Sequence, residues 1–171
     1  KGLLKSAIRD NNPVIFMESE QMYGDKGMIP EEEYLIPIGQ ANIVQEGSDV
    51  TIVSYGKMMK IIVAAQLELN QKNIFPELID LRTLRPIDYD LIIQSVKKTN
   101  RLIIVEESWP LASISSEISY KIQKDAFDYL DAPIQRICSA DTPMAYSPTL
   151  VKEFLPNKND VIEKAKAVMY L

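Results

Sequence analysis

Two adjacent carboxylates, Glu106 and Glu107, are of a type that could carry out proton transfer. They close the run Arg101 to Glu106, which reads as a buried strand, and ligands of open α/β sheets gather at the carboxyl ends of strands. A carboxylic acid beside a carboxylate could act as general acid and base. Successive residues of a strand, however, point to opposite faces of the sheet. The pattern therefore favours a structural or interface role for this pair.

Further polar segments follow other predicted strands and would reach the same edge of the sheet: Ser54-Tyr55-Gly56, Arg82 to Asp88, and Ser139-Ala140-Asp141. Gly56 stands alone, without the spaced glycines that let a backbone approach a pyrophosphate, so we reject dinucleotide binding. The chain has no histidine, the commonest metal ligand and the side chain best suited to proton transfer near neutral pH. The consecutive residues Glu31 to Glu33 read as a solvated linker face. We predict no catalytic residue, no cofactor-binding residue and no metal ligand here.

The elements that would position these segments alternate between strand and helix after Asp49. Predicted strands are short and β-branched, whereas predicted helices combine strong helix formers with an apolar stripe. The strands are Val50 to Tyr55, Glu77 to Leu81, Arg101 to Glu106 and Ile134 to Cys138, with at most one more near Tyr34 to Pro37; the helices are Met58 to Leu69, one capped by Asp88, Leu111 to Leu130, and Asp160 to Met169. This alternation predicts an α/β fold of three layers, α/β/α, around a mostly parallel sheet of about five strands.

The first residues stand outside this alternation. Lys1 to Asp10 place their apolar residues on one helical face, and Pro13 to Glu18 reads as a buried strand. Glycines, prolines and acidic residues then indicate a long connection. We therefore divide the chain into residues 1–36, the tail of another domain plus a linker, and residues 37–171, one α/β domain. The start lacks the apolar core and cleavage site of a signal peptide.

Composition limits the classes of partner. A net charge of −5 disfavours nucleic acid and anionic lipid, which both reward a concentrated positive surface, and would suit a basic protein. No apolar run approaches the ~18 residues that a membrane span needs. The single cysteine, Cys138, excludes an intrachain disulfide and reads as a small buried residue of its strand. We expect neither nucleic acid nor a membrane as a partner.

A family resemblance rests on Asp80-Leu81-Arg82-Thr83-Leu84-Arg85-Pro86-Ile87-Asp88. This run is similar to the signature of the transketolase C-terminal domain, as it occurs in β subunits of thiamine-diphosphate-dependent 2-oxo acid dehydrogenases. The resemblance continues in order through residues 37–41, 50–56, 95–101, 105–110, 129–133 and 141–144. Trp109-Pro110, an aromatic anchor for either the core or a partner, and residues 141–146 resemble the pyruvate enzymes rather than the branched-chain enzymes. Ser115, where glycine is common, and Ala145, in place of a frequent proline, depart from the pattern; we expect them to alter the local loop shape but not the fold.

The resemblance implies a share in the oxidative decarboxylation of pyruvate and acetyl transfer to lipoyl groups, with thiamine diphosphate and Mg²⁺ bound in a full α2β2 enzyme. In the family, the glutamate and aromatic residues that serve the cofactor belong to a pyrimidine-binding domain upstream, and the α subunit holds the diphosphate and magnesium. None of those residues is carried over. Residues 1–36 would correspond to the end of that upstream domain, and this chain alone is expected to bind no cofactor and to be inactive.

The implied partners are the α subunit, a second β subunit and the small basic peripheral-subunit-binding domain of the dihydrolipoyl acetyltransferase. For the last of these, the resemblance indicates Asp131, the acidic position of the family's Leu-Asp-Ala-Pro turn, and the terminal carboxylate of Leu171. Exposed carboxylates accept charge-assisted hydrogen bonds from arginine or lysine. The alternative for Asp131 is an ordinary turn residue before Pro133.

Other functions stay open at this point. One is the β subunit of a branched-chain 2-oxo acid dehydrogenase, and another is a free-standing interaction module. Apolar faces in residues 1–18 with no sheet to join argue against the module. The expected location is a bacterial cytoplasm, or a mitochondrial matrix if the source is eukaryotic.

Overall fold

Five strands form one mixed sheet in the order β1-β3-β2-β4-β5. The computed structural model describes residues 1–171. The strands are β1 (Asn42–Gln45), β2 (Val50–Ser54), β3 (Pro76–Asp80), β4 (Leu102–Val105) and β5 (Gln135–Ile137). Neighbouring strands among β2 to β5 run parallel, whereas β1 pairs antiparallel with β3 at one edge. The prediction of a mostly parallel five-stranded sheet is confirmed.

Helices cover both faces of the sheet. On one face lie α2 (Met58–Gln71) and α6 (Lys158–Val168), and on the other lie α3 (Tyr89–Thr99) and α4 (Ile114–Asp125). The chain also contains α1 (Gly2–Arg9), α5 (Pro148–Phe154) and single 3₁₀ turns at Glu20–Met22 and Phe127–Tyr129. The predicted three-layer α/β/α architecture is confirmed. None of the helices combines the length and the apolarity that crossing a bilayer requires.

Alternation along the strands divides the core in two. Ile52 and Ile103 pack with α2 and α6, whereas Val53 and Ile104 pack with α3 and α4, and all four are fully buried. A strand that is covered on both faces needs apolar residues at successive positions, which explains the continuous apolar runs. Burying each large side chain stabilises the fold by about 1.5–3 kcal/mol.

Capping side chains set the helix boundaries. Asp88 accepts a hydrogen bond from the backbone N–H of Leu91 at 3.1 Å, as predicted, and a second from Ala41 at 3.0 Å. Asn157 and Asp160 form a reciprocal capping box at the start of α6. The Asp88 carboxylate therefore both starts α3 and holds the segment that leads into β1.

The structure corrects the sequence-based assignment in the first third of the chain. Pro13 to Glu18 form no strand, and Ile15 and Met17 are 89% and 85% exposed, because no neighbouring strand offers this run a hydrogen-bond ladder. Tyr34 to Pro37 form no strand either: this segment packs on α1, where the hydroxyl of Ser6 donates to the carbonyl of Ile36 at 2.6 Å. The fifth strand is β1 instead. Helix α5, which starts with Pro148 in its first turn, was not predicted.

Candidate functional site

The carboxyl ends of β2, β4 and β5 meet around the buried carboxylate of Glu106. Its Oε2 accepts hydrogen bonds from the hydroxyl of Tyr55 at 3.0 Å and from the backbone N–H of Ser115 at 3.2 Å. Its Oε1 accepts a longer one from the thiol of Cys138, at 3.6 Å. Sequence reasoning placed Tyr55 and Glu106 at this edge of the sheet. It gave no part there to Ser115 or Cys138.

Arg136 supplies the cation of the same network, and sequence reasoning missed it. Its Nε donates to Oγ of Ser115 at 2.8 Å, and its Nη2 donates to the carbonyl of Pro110 and, at 3.3 Å, to Oγ of Ser113. The available signal was an arginine inside a predicted apolar strand, since a charge in that setting needs partners. Ser115, which departs from the family pattern, thus supplies a hydroxyl acceptor that glycine lacks.

Burial keeps the donors of this network protonated. Burial is the largest effect that raises the pKa of the Tyr55 hydroxyl, and the charge of the nearby Glu106 carboxylate raises this pKa further. Burial also raises the pKa of the Cys138 thiol, against the opposing effect of its hydrogen bond with Ser115. A nucleophilic cysteine needs a lowered pKa, so the surroundings of Cys138 suit a hydrogen-bond donor and not a nucleophile.

Glu107 points away from this network. Its carboxylate lies 2.6 Å from Nζ of Lys57, and the same ammonium donates to Oε1 of Gln21 at 3.0 Å. Glu106 and Glu107 therefore occupy different surroundings, as the alternation of strand residues predicted, and they do not form an acid and base pair. Lys57 instead joins the loop after β4 to the early segment around Gln21.

The loop after β5 lies beside the loop after β4. The backbone N–H of Ser139 donates to the carbonyl of Ser108 at 3.0 Å, and Nε1 of Trp109 donates to the carbonyl of Thr142 at 2.9 Å. The Trp109 ring is half exposed, so it is not a core residue. Partner contact by Trp109 stays a prediction.

The segment after β3 contacts the chain that leads into β1. The hydroxyl of Thr83 donates to the carbonyl of Pro86 at 2.9 Å and lies 3.1 Å from the backbone N–H of Gly39, which donates to it. The peptide bond between Arg85 and Pro86 is cis. This segment therefore holds the chain that enters β1. No three histidine, cysteine, aspartate or glutamate side chains converge as metal ligands anywhere in residues 1–171.

The two residues predicted to bind a partner lie at the opposite end of the sheet, where β4 begins. The side chain of Asp131 is 59% exposed, and Leu171 is 78% exposed. The backbone N–H of Asp131 donates to the carbonyl of Asn100 at 2.9 Å, and the hydroxyl of Tyr170 donates to the carbonyl of Asp131 at 2.7 Å. The structure therefore brings Asp131 beside the residues that end with Leu171.

Sequence comparison identifies relatives along the whole chain. The family described as transketolase, C-terminal domain, matches residues 39–161. The chain is 50% identical over 170 residues to the pyruvate dehydrogenase E1 component subunit beta of Rickettsia felis, covering 99% of this chain and 52% of that protein. Identity to the mitochondrial subunit of that name from Dictyostelium discoideum is 46% over 172 residues, covering 98% and 48%. The chain spans about half the length of these curated relatives.

A relative with another name is the acetoin:2,6-dichlorophenolindophenol oxidoreductase subunit beta of Cupriavidus necator, 43% identical over 169 residues, covering 99% of this chain and 50% of that protein. Among solved structures, a split gene transketolase described as an inactive beta4 tetramer superimposes with a TM-score of 0.72 at 22% identity, covering 80% of this chain and 44% of that chain. At that identity the likeness shows the fold alone. The family match and the shared fold agree, and this chain belongs to the transketolase C-terminal domain family.

Proposed function

We propose that this chain is the C-terminal part of the β subunit of a pyruvate dehydrogenase, and that it contributes assembly and docking rather than catalytic groups. The observation that carries the proposal is the 50% identity to the Rickettsia felis β subunit over 99% of the chain. An α subunit would complete the enzyme, and thiamine diphosphate with Mg²⁺ would supply its carbanion chemistry. The location we propose is a bacterial cytoplasm or a mitochondrial matrix, since relatives of both kinds match.

The residues present do not fit the cofactor itself. The buried Glu106 carboxylate already accepts hydrogen bonds from Tyr55, Ser115 and Cys138, and no set of metal ligands converges. We therefore assign no step of the reaction to this chain. Titration of the chain with thiamine diphosphate and Mg²⁺ is expected to give no binding heat. Tight binding would contradict the proposal that the cofactor is held by other parts of the enzyme.

We further propose that residues 1–36 belong to the end of an upstream pyrimidine-binding domain, and residues 37–171 to the C-terminal domain. Helix α1 packs against Tyr34 and Ile36 instead of the sheet, which supports this division. The nearly or fully exposed side chains of Ile15, Met17 and Met28 support it too, because apolar residues of this size are normally covered by another unit. The second β subunit and the α subunit are the proposed neighbours.

We propose that Asp131 and Leu171 dock the β subunit on the dihydrolipoyl acetyltransferase that forms the core of the multienzyme complex. The proposed partner is the small basic peripheral-subunit-binding domain of a dihydrolipoyl acetyltransferase. The 59% exposure of the Asp131 side chain and the net charge of −5 support an acceptor site for arginine or lysine. Charge-assisted hydrogen bonds of this kind contribute both affinity and association rate.

Calorimetric titration of the chain with that binding domain tests the docking assignment. We expect Asp131→Asn to weaken binding about 10-fold, because a charge-assisted hydrogen bond is lost. Asp128→Asn is the matched control, since Asp128 is also exposed and lies three residues earlier in the chain. Equal affinities for wild type and Asp131→Asn would contradict the assignment of Asp131.

A second candidate substrate is acetoin, because the Cupriavidus necator relative named for it is 43% identical to this chain. Branched-chain 2-oxo acids form the third class to test. The full enzyme, with both subunits, should be assayed with each substrate. The proposal is supported if kcat/KM is highest for pyruvate. A higher kcat/KM for acetoin or a branched-chain 2-oxo acid would contradict pyruvate as the substrate.

A further inference from the structure

Helix α6 ends in a turn that normally needs glycine. The backbone N–H of Tyr170 donates to the carbonyl of Ala167 at 3.2 Å, and that of Leu171 donates to the carbonyl of Lys166 at 3.0 Å. This pair of bonds is a Schellman motif, and its left-handed position is occupied by Tyr170 with φ of 60°. A side chain at that backbone conformation costs free energy that glycine would not. Local stability of the turn therefore does not explain the tyrosine.

Two side chains fasten this turn to the segment that carries Asp131. The hydroxyl of Tyr170 donates to the carbonyl of Asp131 at 2.7 Å, a bond that glycine could not make. Nε of Arg101 donates to the carbonyl of Val168 at 2.9 Å, and its Nη2 lies 3.8 Å from the Asp131 carboxylate. Arg101 is mostly buried, whereas the Tyr170 ring is 71% exposed. We call Arg101 and Tyr170 the clasp.

We propose that the clasp positions Asp131 as a preorganised acceptor for a basic partner domain. This inference rests on the proposed docking function. The clasp restricts the segment that carries Asp131 before the partner arrives, so less conformational entropy is lost on binding. Asp131 keeps most of its exposure despite its contact with Arg101, so its carboxylate stays accessible to a partner's cation. Arg101 and Tyr170 thus act on binding through Asp131.

The test is titration of the full chain with the peripheral-subunit-binding domain, in wild type and clasp variants. Tyr170→Gly suits the left-handed backbone, so we expect its melting temperature to equal or exceed that of wild type, while its affinity falls about 10-fold. Tyr170→Phe removes only the hydroxyl and should weaken binding in the same direction. Tyr146→Phe, at a fully exposed tyrosine outside the clasp, is the matched control.

A double-mutant cycle separates positioning from a general structural effect. Because the clasp acts through Asp131, Tyr170→Gly should cost less affinity in an Asp131→Asn background than in wild type. Equal losses in both backgrounds would overturn the inference. Arg101→Met should behave like Tyr170→Gly in affinity, with melting curves to confirm its fold.

The outcomes also distinguish this inference from the docking function beneath it. If wild type fails to bind the domain at all, both are overturned. If wild type binds, Asp131→Asn weakens binding and Tyr170→Gly leaves affinity unchanged, the docking function stands and the clasp is rejected.

Discussion

The hydroxyl of Tyr55 and the carboxylate of Glu106 share a hydrogen bond of 3.0 Å that joins the ends of β2 and β4. Ser115 at the start of α4 and Cys138 after β5 donate to the same carboxylate. Hydrogen bonds to a charged acceptor are stronger than neutral ones, and low polarity around them strengthens them further. One buried carboxylate therefore holds four elements of the fold together.

Removing that carboxylate should destabilise the protein. Glu106→Ala leaves the Tyr55, Ser115 and Cys138 donors without their acceptor, and we expect the free energy of unfolding in urea to fall by about 3 kcal/mol. Glu106→Gln keeps an acceptor oxygen, so its free energy of unfolding should fall by less. Glu107→Gln, the neighbouring exposed carboxylate, is the control and should change stability by under about 0.5 kcal/mol. If Glu106→Ala and Glu107→Gln lose similar amounts of unfolding free energy, the stabilising role of the Glu106 network is contradicted.

The raised pKa of Tyr55 predicts a loss of stability in alkali. Burial and the Glu106 charge raise this pKa in the folded chain, whereas an unfolded tyrosine titrates near pH ~10. The folded chain holds this proton more tightly than the unfolded chain. The contribution of the Tyr55 hydroxyl to the free energy of unfolding is therefore complete below pH ~10 and is lost as the pH rises through the folded pKa. The free energy of unfolding, measured in urea, should therefore fall more for wild type than for Tyr55→Phe as the pH rises from ~8 to ~11. Parallel pH profiles would exclude this linkage.

The buried Glu77 carboxylate depends on Lys98. Burial disfavours the charge of Glu77, but hydrogen bonds, above all from Lys98, outweigh burial and hold the pKa of Glu77 below its usual value. This carboxylate therefore stabilises the fold above its unfolded pKa of ~4.3, and that stability is lost as the pH falls through the folded pKa.

Lys98→Met is expected to reduce the free energy of unfolding by about 1–2 kcal/mol at pH ~7, a value discounted for the partial exposure of the lysine. The difference from wild type should narrow in acid, where Glu77 takes up a proton. Lys124→Met, at an exposed lysine on α4, is the control. A loss for Lys98→Met that stays constant with pH would show that packing of the lysine stem, and not its charge, matters.

Gly47 lies where the turn after β1 touches the start of β3. A Cβ at this position would lie 2.2 Å from the carbonyl carbon of Pro76 and 2.4 Å from the backbone nitrogen of Glu77. Because backbone cannot move aside as a flexible side chain can, we expect Gly47→Ala to cost at least about 2 kcal/mol of stability. A Cβ on Gly24 would meet nothing within 4 Å, so Gly24→Ala is the matched control in the same thermal melt. Equal melting temperatures would contradict the close approach.

Local signals predicted most of the fold. The apolar strands β2 to β4 and the Asp88 cap carry their information within a few residues, and each was found. Strand β1 was missed because its pairing with β3 is decided by a distant part of the chain. The run Pro13 to Glu18 has the composition of a strand but no strand beside it.

The site was harder to predict than the fold. Asp131 and Leu171 came from the family resemblance, and their docking role stays a prediction. Arg136, Ser113 and Ser115 come together only in the folded chain, and serines at the start of a helix have no pattern that indicates a buried hydrogen-bond network. Their contacts depend on side-chain directions that periodicity does not encode.

The antiparallel strand β1 also determines how far the chain could be trimmed. The alternation of strand and helix begins at Val50, which invites a shortened protein that starts there. Such a protein would lack Asn42–Gln45 and leave one side of β3 with bare amide and carbonyl groups. An uncovered strand edge is a template for pairing with other chains, so the trimmed protein should aggregate. A shortened protein that does not aggregate should therefore begin before Asn42.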